Sequence, residues 1–302
     1  MNYPNIFKTV ATFKVLCSVS LAASLALTVP VHVNAQENRH QQRQGDFISP
    51  APGTGVKPDW KLSASLATLY MPAFTGSKDD QALVVPDIKV EYQDVFFASL
   101  FEGIGYNIIN SGGWRAGPIV KLDIGRDEDD DNPFRIAGNK TRALRGLGDV
   151  SATPELGGFV EYSIDRFSYS IEVRQGVSGH KGLIADISAH YMDMIKPSGQ
   201  PVTYLIGPHV TLASGKYNNT YFGIDESQSA NTGLQRYKAD AGLVSYGVSA
   251  FVMTPVTDAL SLGLIARYDR LGSEAADSPL IQERGRKNQF IAGVRLTYEF
   301  GL

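Results

Sequence analysis

The final stretch of the chain, residues 289–300, constrains the fold more than any other segment. Successive side chains on a strand point to opposite faces, so its pattern predicts a strand with one apolar, aromatic-ended face and one small or charged face. Such a strand fits a half-buried soluble sheet, or the wall of a membrane barrel with a polar lumen. The apolar set is Phe290, Ala292, Val294, Leu296, Tyr298 and Phe300, and the other set is Ile291, Gly293, Arg295, Thr297 and Glu299.

The N-terminus has the three-part pattern of a secretory signal peptide. It starts with lysines and no acid before Glu37, continues with an apolar run from Val15 to Val29, and ends in small residues at Ala35. The run is shorter than the ~20 apolar residues of a membrane-spanning helix. We therefore interpret residues 1–35 as a signal peptide, and residues 36–59, polar and rich in Gln, Pro and Gly, as a flexible periplasmic tail.

Composition excludes several classes of protein. The single cysteine, Cys17, lies in the expected signal peptide, so the mature chain is expected to have no disulfide. Of 28 basic and 31 acidic residues, Lys8 and Lys14 are removed with the signal, which leaves a net charge of −5. That charge excludes the strongly basic footprint of a nucleic-acid-binding protein, and five histidines without cysteine disfavour a structural zinc site.

From Trp60 to the C-terminus, alternating segments recur between turn signals. We predict an all-β fold: one transmembrane antiparallel β-barrel over residues 60–302, with about twelve strands and a range of ten to fourteen. A soluble β-sandwich explains the alternation, but not aromatics near strand ends together with a signal peptide. The predicted strands cover 60–70, 82–93, 96–109, 114–125, 155–164, 167–177, 183–191, 202–212, 217–224, 244–252, 260–268 and 289–300.

The connections between these strands predict a topology. With both termini in the periplasm, the expected external loops are 71–81, 193–200, 225–238 and 271–285. The expected periplasmic turns lie at Asp94, 176–181 and 254–256, which fits the short periplasmic turns of such barrels. Residues 126–151 form an exception, because they are a long segment on the periplasmic side.

Short motifs spread over the mature chain carry a resemblance to a known family. They are residues 70–77 (YMPAFTGS), 85–88 (VPDI), 147–158 (LGDVSATPELGG), 177–182 (VSGHKG), 221–224 (YFGI), 277–280 (DSPL) and 296–300 (LTYEF). In this order they resemble the MipA/OmpV family of outer-membrane proteins, the MltA-interacting protein family. The one departure is Gly301-Leu302, which extends past the usual terminal aromatic residue.

The resemblance implies a location and a function. The location is the outer membrane of a Gram-negative bacterium, in contact with the lipid bilayer and lipopolysaccharide. The implied function is a non-enzymatic scaffold that links a lytic transglycosylase to a murein synthase at the periplasmic face. The alternative is a surface adhesin or a small passive channel.

The predicted inward faces carry charges of both signs. Unpaired charges in a dry lumen cost several kcal/mol each, so we expect the charges to pair and to plug the barrel. A small selective channel is the alternative, although a selective constriction favours rings of one sign. The charges are Arg115, Lys121, Asp123, Glu155, Glu161, Glu172, Arg174, Arg267, Asp269, Arg295 and Glu299.

Three other patterns suggest sites. Ser178 and His180 could form a hydrolase pair, but their glycine-flanked position predicts a periplasmic hairpin turn. A group on neighbouring strands, Asp186, His190 and His209, could bind a metal, but polar lumen lining explains it as well. We therefore expect no catalytic, cofactor or metal residue.

The acidic run 127–131, followed by Lys140, Arg142 and Arg145, is the third pattern. Such runs are usually solvated loops, and this one lacks the glycine and terminal glutamate of a calcium loop. Because it falls in the long segment assigned to the periplasmic side, we interpret it as a docking element for murein enzymes or as a lumen plug.

Overall fold

The structure is a computed structural model that describes residues 59–300. The predicted signal peptide, Cys17, all but the last residue of the predicted tail and the Gly301-Leu302 extension lie outside the described residues.

Fourteen strands and four short helices make up the described part of the chain. The helices are α1 (Gly215–Phe222), α2 (Glu226–Thr232), α3 (Ser273–Ala276) and α4 (Pro279–Arg284). The strands are β1 (Trp60–Pro72), β2 (Asp80–Tyr92), β3 (Phe96–Ser99), β4 (Gly103–Tyr106), β5 (Ile109–Ser111), β6 (Trp114–Asp123), β7 (Arg135–Ala137), β8 (Thr153–Ile164), β9 (Phe167–Gly176), β10 (Leu183–Ile195), β11 (Val202–Ala213), β12 (Gly242–Pro255), β13 (Leu260–Leu271) and β14 (Asn288–Phe300).

The strands close into an antiparallel barrel, because β1 pairs with both β2 and β14. Within the described residues the wall has twelve strands, counting β4 and β5 as two pieces of one strand along β6. The remaining strand, β7, pairs only with β2. The predicted all-β barrel of about twelve strands is confirmed, and a two-sheet sandwich is excluded.

Pro118 and Pro208 lie inside predicted strands, and because proline removes a ladder donor, each predicts a bulge or a strand end. Opposite Pro118, the pairing of β6 shifts by one residue between β4 and β5, which is a β-bulge. At Pro208 the ladder between β10 and β11 is interrupted without a change of register, so the predicted bulge or strand end is wrong there.

The outer face of the barrel is apolar and ends in aromatic side chains. From Phe290 to Phe300, at about 3.3 Å per residue and a tilt of about 40°, the wall spans about 25 Å, the height of the apolar band of an outer-membrane barrel. Exposed aromatic residues at one end are Trp60, Tyr106, Trp114, Phe167, Tyr298 and Phe300, and those at the other end are Tyr70, Tyr246, Tyr268 and Phe290.

This band predicts the effect of a charge on the outer face. Leu264 is 49% exposed and pairs with Val294 midway along the band. The change Leu264→Arg is expected to destabilise the barrel by about 2–4 kcal/mol, because the guanidinium would lie in hydrocarbon. Urea unfolding in liposomes, followed by tryptophan fluorescence, measures the loss. The control Tyr298→Arg, near the interface, should cost about 0–1 kcal/mol; equal losses at both positions would contradict the assigned band.

Two errors in the predicted strands cancel in the total. The segment predicted as one strand over 96–109 is the hairpin of β3 and β4, and it crosses the wall twice. The strand predicted over 217–224 is wrong, because these residues form most of α1. The strand count therefore agrees although two assignments behind it do not.

The same two errors explain which connections were placed on the wrong side. Each missed or added strand moves every later connection to the other side of the membrane. The predicted side is therefore wrong for the connections between β6 and α1. Loop 126–151 and turn 176–181 lie at the end of the barrel that carries 73–79, 214–241 and 272–287. Loop 193–200 lies at the opposite end, with both described termini and the turns 93–95, 165–166 and 256–259.

The two ends can therefore be assigned. Outer-membrane barrels have short periplasmic turns and long external loops. The short-turn end is periplasmic, and the end with the long loops, the capped end, faces outward. The predicted periplasmic position of residues 126–151 and of His180 is wrong.

Candidate functional site

The long loops at the capped end fold together over the mouth of the barrel. They share an apolar core in which Tyr217 and Phe222 of α1 are 2% exposed. We call this assembly of loops 124–152, 214–241 and 272–287 the cap. The core joins the cap to the outer ends of four strands, and its buried residues are Leu144, Leu147, Val150, Ile184, Ala213, Tyr217, Tyr221, Phe222, Ile224, Leu234, Ala239, Val244, Leu271, Ala275, Ala276, Leu280 and Ile281.

Beneath the cap lies a buried group of titratable side chains, which we call the outer-lumen cluster: Asp123, Glu155, His180, Tyr217 and Tyr221. Asp123 ends β6, Glu155 lies near the start of β8, and His180 lies in the turn between β9 and β10. The two tyrosines are one helical turn apart on α1 and therefore point into the lumen together.

His180 has a partner on each ring nitrogen. Its Nδ1 accepts the backbone N–H of Gly182 at 3.0 Å. The proton of the neutral ring is therefore on Nε2, which lies 3.1 Å from Glu155 Oε1 and donates to it. The ring also packs edge-on against Tyr217, with 4.9 Å between ring centres. His180 thus contacts the β9–β10 turn through Gly182, the wall through the Glu155 carboxylate, and helix α1 of the cap through Tyr217.

The other half of the cluster joins Tyr221 to the wall. Its hydroxyl donates to Asp123 Oδ2 at 2.8 Å, and its backbone oxygen accepts from Arg126 Nη1 at 2.7 Å. Burial, and then the Asp123 carboxylate, raises the pKa of Tyr221, so the phenol stays neutral and remains a donor. Burial lowers the pKa of Arg126 to about 10, which still leaves the guanidinium charged at neutral pH.

Three members of the cluster could in principle hold a metal ion. One ligand atom from each of Asp123, Glu155 and His180 lies within 4.8 Å of the others. A metal-binding histidine donates its second ring N–H to an acceptor, whereas His180 Nδ1 faces the Gly182 N–H, which is a donor. The tautomer therefore suits a hydrogen bond to Glu155 better than a metal bond.

Arg174 is the centre of the polar network below the cluster. It is 2% exposed, and its Nε donates to Glu155 Oε2 at 2.7 Å while Nη2 donates to Asp186 Oδ2 at 2.9 Å. It also contacts Glu172, which pairs with Lys121 at 2.7 Å. Opposite charges thus join the neighbouring strands β6, β8, β9 and β10 on the inner face of the wall.

The predicted charge pairing extends further down the barrel and is confirmed. The pairs are Arg115 with Glu161 at 2.8 Å, Arg267 with Asp269 at 2.6 Å, Arg295 with Asp87 at 3.4 Å and Lys89 with Glu102 at 2.9 Å. Of the predicted inward charges, Glu299 is half-buried at the short-turn end, and none of the ion pairs described here includes it.

Asp186, His190 and His209 do not converge on one point. Asp186 accepts from Arg174 and from Thr211, His190 lies 3.2 Å from Ser249 Oγ, and His209 lies 2.8 Å from Asp269 Oδ1. They line the lumen as separate hydrogen-bonded groups.

Apolar side chains also occupy the lumen. Phe97, Ile119 and Phe159 form a buried group, and the Arg115 guanidinium lies over both phenylalanine rings at 5.7 and 5.5 Å. A second group, on β1, β2, β13 and β14 and in the β3–β4 turn, includes Leu83 and Phe101. Together with the ion pairs, these buried side chains occupy the lumen between the cap and the short-turn end.

The acidic run 127–131 is part of the folded cap rather than a solvated loop. Asp130 is 1% exposed, bonds Arg135 at 2.5 Å and accepts the backbone N–H of Thr141. Glu128 accepts the N–H groups of Gly146 and Gly148. A periplasmic docking element is wrong for this segment, because it lies at the capped end.

The Ser178 and His180 pair gains no support from the geometry. Both ring nitrogens of His180 are engaged by Gly182 and Glu155 rather than by Ser178. The predicted hairpin turn is confirmed between β9 and β10.

The two tyrosines of α1 were not found by sequence reasoning, although two signals were present. Ser214 precedes the segment as a possible N-cap, and Tyr217 and Tyr221 have the four-residue spacing of one helix face. Asp225 and Gln228 further form a capping box at the start of α2, where only a loop was predicted.

Comparison with known proteins gives three findings. The model of a family described as "MltA-interacting protein MipA" matches residues 64–300. Outer membrane protein OmpV of Vibrio cholerae is 31% identical over 91 residues, which cover 30% of this chain and 34% of OmpV. Putative outer membrane protein YiaT of Escherichia coli K12 is 36% identical over 78 residues, which cover 26% of this chain and 31% of YiaT. The chain thus spans about a third of the length of these curated relatives.

Among solved structures, an outer-membrane channel from Pseudomonas putida F1 matches with a TM-score of 0.39 and 11% identity, over 81% of this chain and 97% of that one. Among the described residues, no helix has the length and apolar character needed to cross a membrane.

Proposed function

The chain belongs to the MipA family of outer-membrane proteins, and from this membership and its filled lumen we propose a non-conducting, non-enzymatic scaffold that binds murein enzymes at its periplasmic face. The outer-membrane location and the barrel are the basis for this proposal.

The observation that carries the proposal is the blocked bore. A passive channel needs a continuous wet path lined by groups that hold a solute weakly. Here Arg174, Arg115 and Arg267 are held in buried ion pairs on the inner face of the wall, apolar side chains are buried beside them, and the cap lies above. Purified protein in planar bilayers is therefore expected to show no conductance steps, and regular steps in most insertions would refute a non-conducting barrel.

The partners are proposed from the family's description, which names an interaction with MltA. We propose a lytic transglycosylase and a murein synthase as the enzymes joined. The capped end faces away from the periplasm, so the binding surface we propose is the end with the short turns, where β1 begins at Trp60.

Co-purification from native membranes tests the scaffold. Deleting residues 36–55 should leave the barrel inserted and abolish recovery of the transglycosylase, because these residues precede Trp60 in the chain and β1 begins at the periplasmic end. The matched control deletes residues 127–145 at the capped end and should keep the enzyme bound. The reverse pattern would refute the scaffold as proposed.

A surface adhesin is the second candidate, and the ordered cap favours it. The cap presents folded loops outward over a shared core, which is a surface suited to binding outside the cell. Adhesion of whole cells should then fall after deletion of 127–145 and persist after deletion of 36–55.

A further inference from the structure

The barrel wall is incomplete on its outer half between β2 and β6. β3 and β4 have four residues each, and they reach only Val90 of β2 and Val120 of β6. β2 continues outward to Asp80, so its residues 80–87 extend about 26 Å beyond the tip of the β3–β4 hairpin. Beside these residues, outward of the hairpin turn at 100–102, the wall has a gap that we call the wall notch.

The notch opens into the lipid-facing band. Apolar side chains around it are among the more exposed of the described residues, and they lie between the two aromatic ends of the barrel. The outer side of the notch therefore faces the hydrocarbon of the membrane. The exposed apolar side chains around it are Ile88 at 64%, Leu100 at 54%, Ile104 at 52%, Leu122 at 55% and Ile136 at 61%.

A short segment of the cap, residues 134–137, closes the notch, and we call it the strap. Its β7 residues make two bridges to β2, Ala82 with Ala137 and Leu83 with Arg135, with a register shift between them. Below these bridges, the Val84 N–H donates to the Phe134 carbonyl at 2.9 Å. The strap is thus held to the wall by few backbone bonds.

The edge of β2 that faces the notch has no adjacent wall strand, and its sequence reduces the number of unpaired backbone donors there. The Val84 N–H faces the notch, so the backbone nitrogen two residues further along faces it too. That residue is Pro86, which has no N–H. An unpaired donor in hydrocarbon costs several kcal/mol, and proline removes it without needing a partner strand.

Behind the strap, the lumen carries an apolar patch bordered by the Arg295–Asp87 ion pair, whose guanidinium lies 5.8 Å from the centre of the Phe101 ring. Leu83, Val85 and Phe101 are buried there, and Phe134 of the strap packs against them. Because Phe134 of the strap packs against this patch, it is the part of the lumen next to the notch, and its apolar surface suits a hydrocarbon chain. Its buried members are Ala67, Leu69, Met71, Leu83, Val85, Phe101, Ile265 and Ile291.

We propose that the wall notch is a lateral entrance, and that the strap releases from β2 to admit one lipid acyl chain into the apolar lumen patch. The polar anchor of the strap lies at its outer side, where Arg135 bonds Gln81 Oε1 at 2.9 Å and Asp130 at 2.5 Å. Release therefore breaks the two bridges to β2 and the bond from the Arg135 side chain to Gln81, while the ion pair with Asp130 keeps Arg135 in the cap.

A reversible disulfide tests this entrance. Ala82→Cys with Ala137→Cys, in a Cys17→Ser background, places two cysteines at a bridged pair and locks the strap when oxidised. The probe is cis-parinaric acid, a fluorescent fatty acid, added to purified protein in nanodiscs. The reduced protein should bind it saturably, oxidation should weaken binding at least about tenfold, and reductant should restore it.

The matched control is Ser163→Cys with Ser168→Cys, a bridged pair between β8 and β9 far from the notch. Its oxidation should leave probe binding unchanged. The proposal is overturned if the oxidised strap variant binds as tightly as the reduced one, if both locks weaken binding equally, or if the reduced protein shows no saturable binding.

Discussion

The change Arg174→Met is expected to destabilise the barrel by about 3–5 kcal/mol, the cost of removing one partner of a buried ion network. Methionine fills a similar volume but leaves Glu155 and Asp186 without their guanidinium donors at 2.7 and 2.9 Å. Urea unfolding of protein folded in liposomes, followed by the fluorescence of Trp60 and Trp114, measures the change.

Two control variants separate charge from geometry. Arg174→Lys keeps the charge but loses the forked donors, so its loss should be smaller than that of Arg174→Met. Arg166→Met removes an exposed ion pair with Asp193 in a periplasmic turn and should cause no measurable change. Equal losses for Arg174→Met and Arg166→Met would show that Arg174 does not organise the lumen.

The second large effect is expected from Gly182→Ala. A β-carbon at Gly182 would lie 2.5 Å from the backbone nitrogen of Tyr217 and 2.7 Å from its Cα. Backbone atoms cannot rotate away, so α1 must shift out of the lumen and lose the contact between Tyr217 and His180. Overpacking of this kind costs about 1–3 kcal/mol.

Hydrogen exchange and limited trypsin digestion measure this displacement. Exchange in residues 214–241 should become about tenfold faster or more, and cleavage at Lys216 should increase, while the strands stay protected. The control is Gly158→Ala, where the nearest atom to a new Cβ is 3.5 Å away and no change is expected. Unchanged exchange in Gly182→Ala would show that α1 is not packed against the β9–β10 turn as described.

The sequence predicted the wall of the barrel well, because the wall obeys a local rule. Every second residue faces lipid, so β14 and β9 could be recognised from their own alternation. The inward charges followed from the same alternation, and a dry lumen requires them to pair. Their partners could not be predicted, because Arg174 meets Glu155 and Asp186 on two different strands.

The side of the membrane on which each loop lies was harder to predict, because it depends on how many strands cross the membrane before that loop. The β3–β4 hairpin turns within the wall after four residues, and its mark in the sequence is only an ambiguous phase of the alternation around Glu102. One missed crossing placed loop 126–151 in the periplasm, and the false strand at Tyr217 then restored the count. An error of one strand therefore changed the function first assigned to the acidic run.

From the sequence alone, the fold class, the approximate strand number, the lipid-facing residues and the mixed charges of the lumen could be derived, since each depends on neighbours along one strand. Only the tertiary structure decided that the acidic run belongs to an outward cap, that His180, Asp123 and Tyr221 meet beneath it, and that the wall is notched beside Pro86. These features depend on which strands become neighbours, and residues far apart in the chain meet only when the barrel closes.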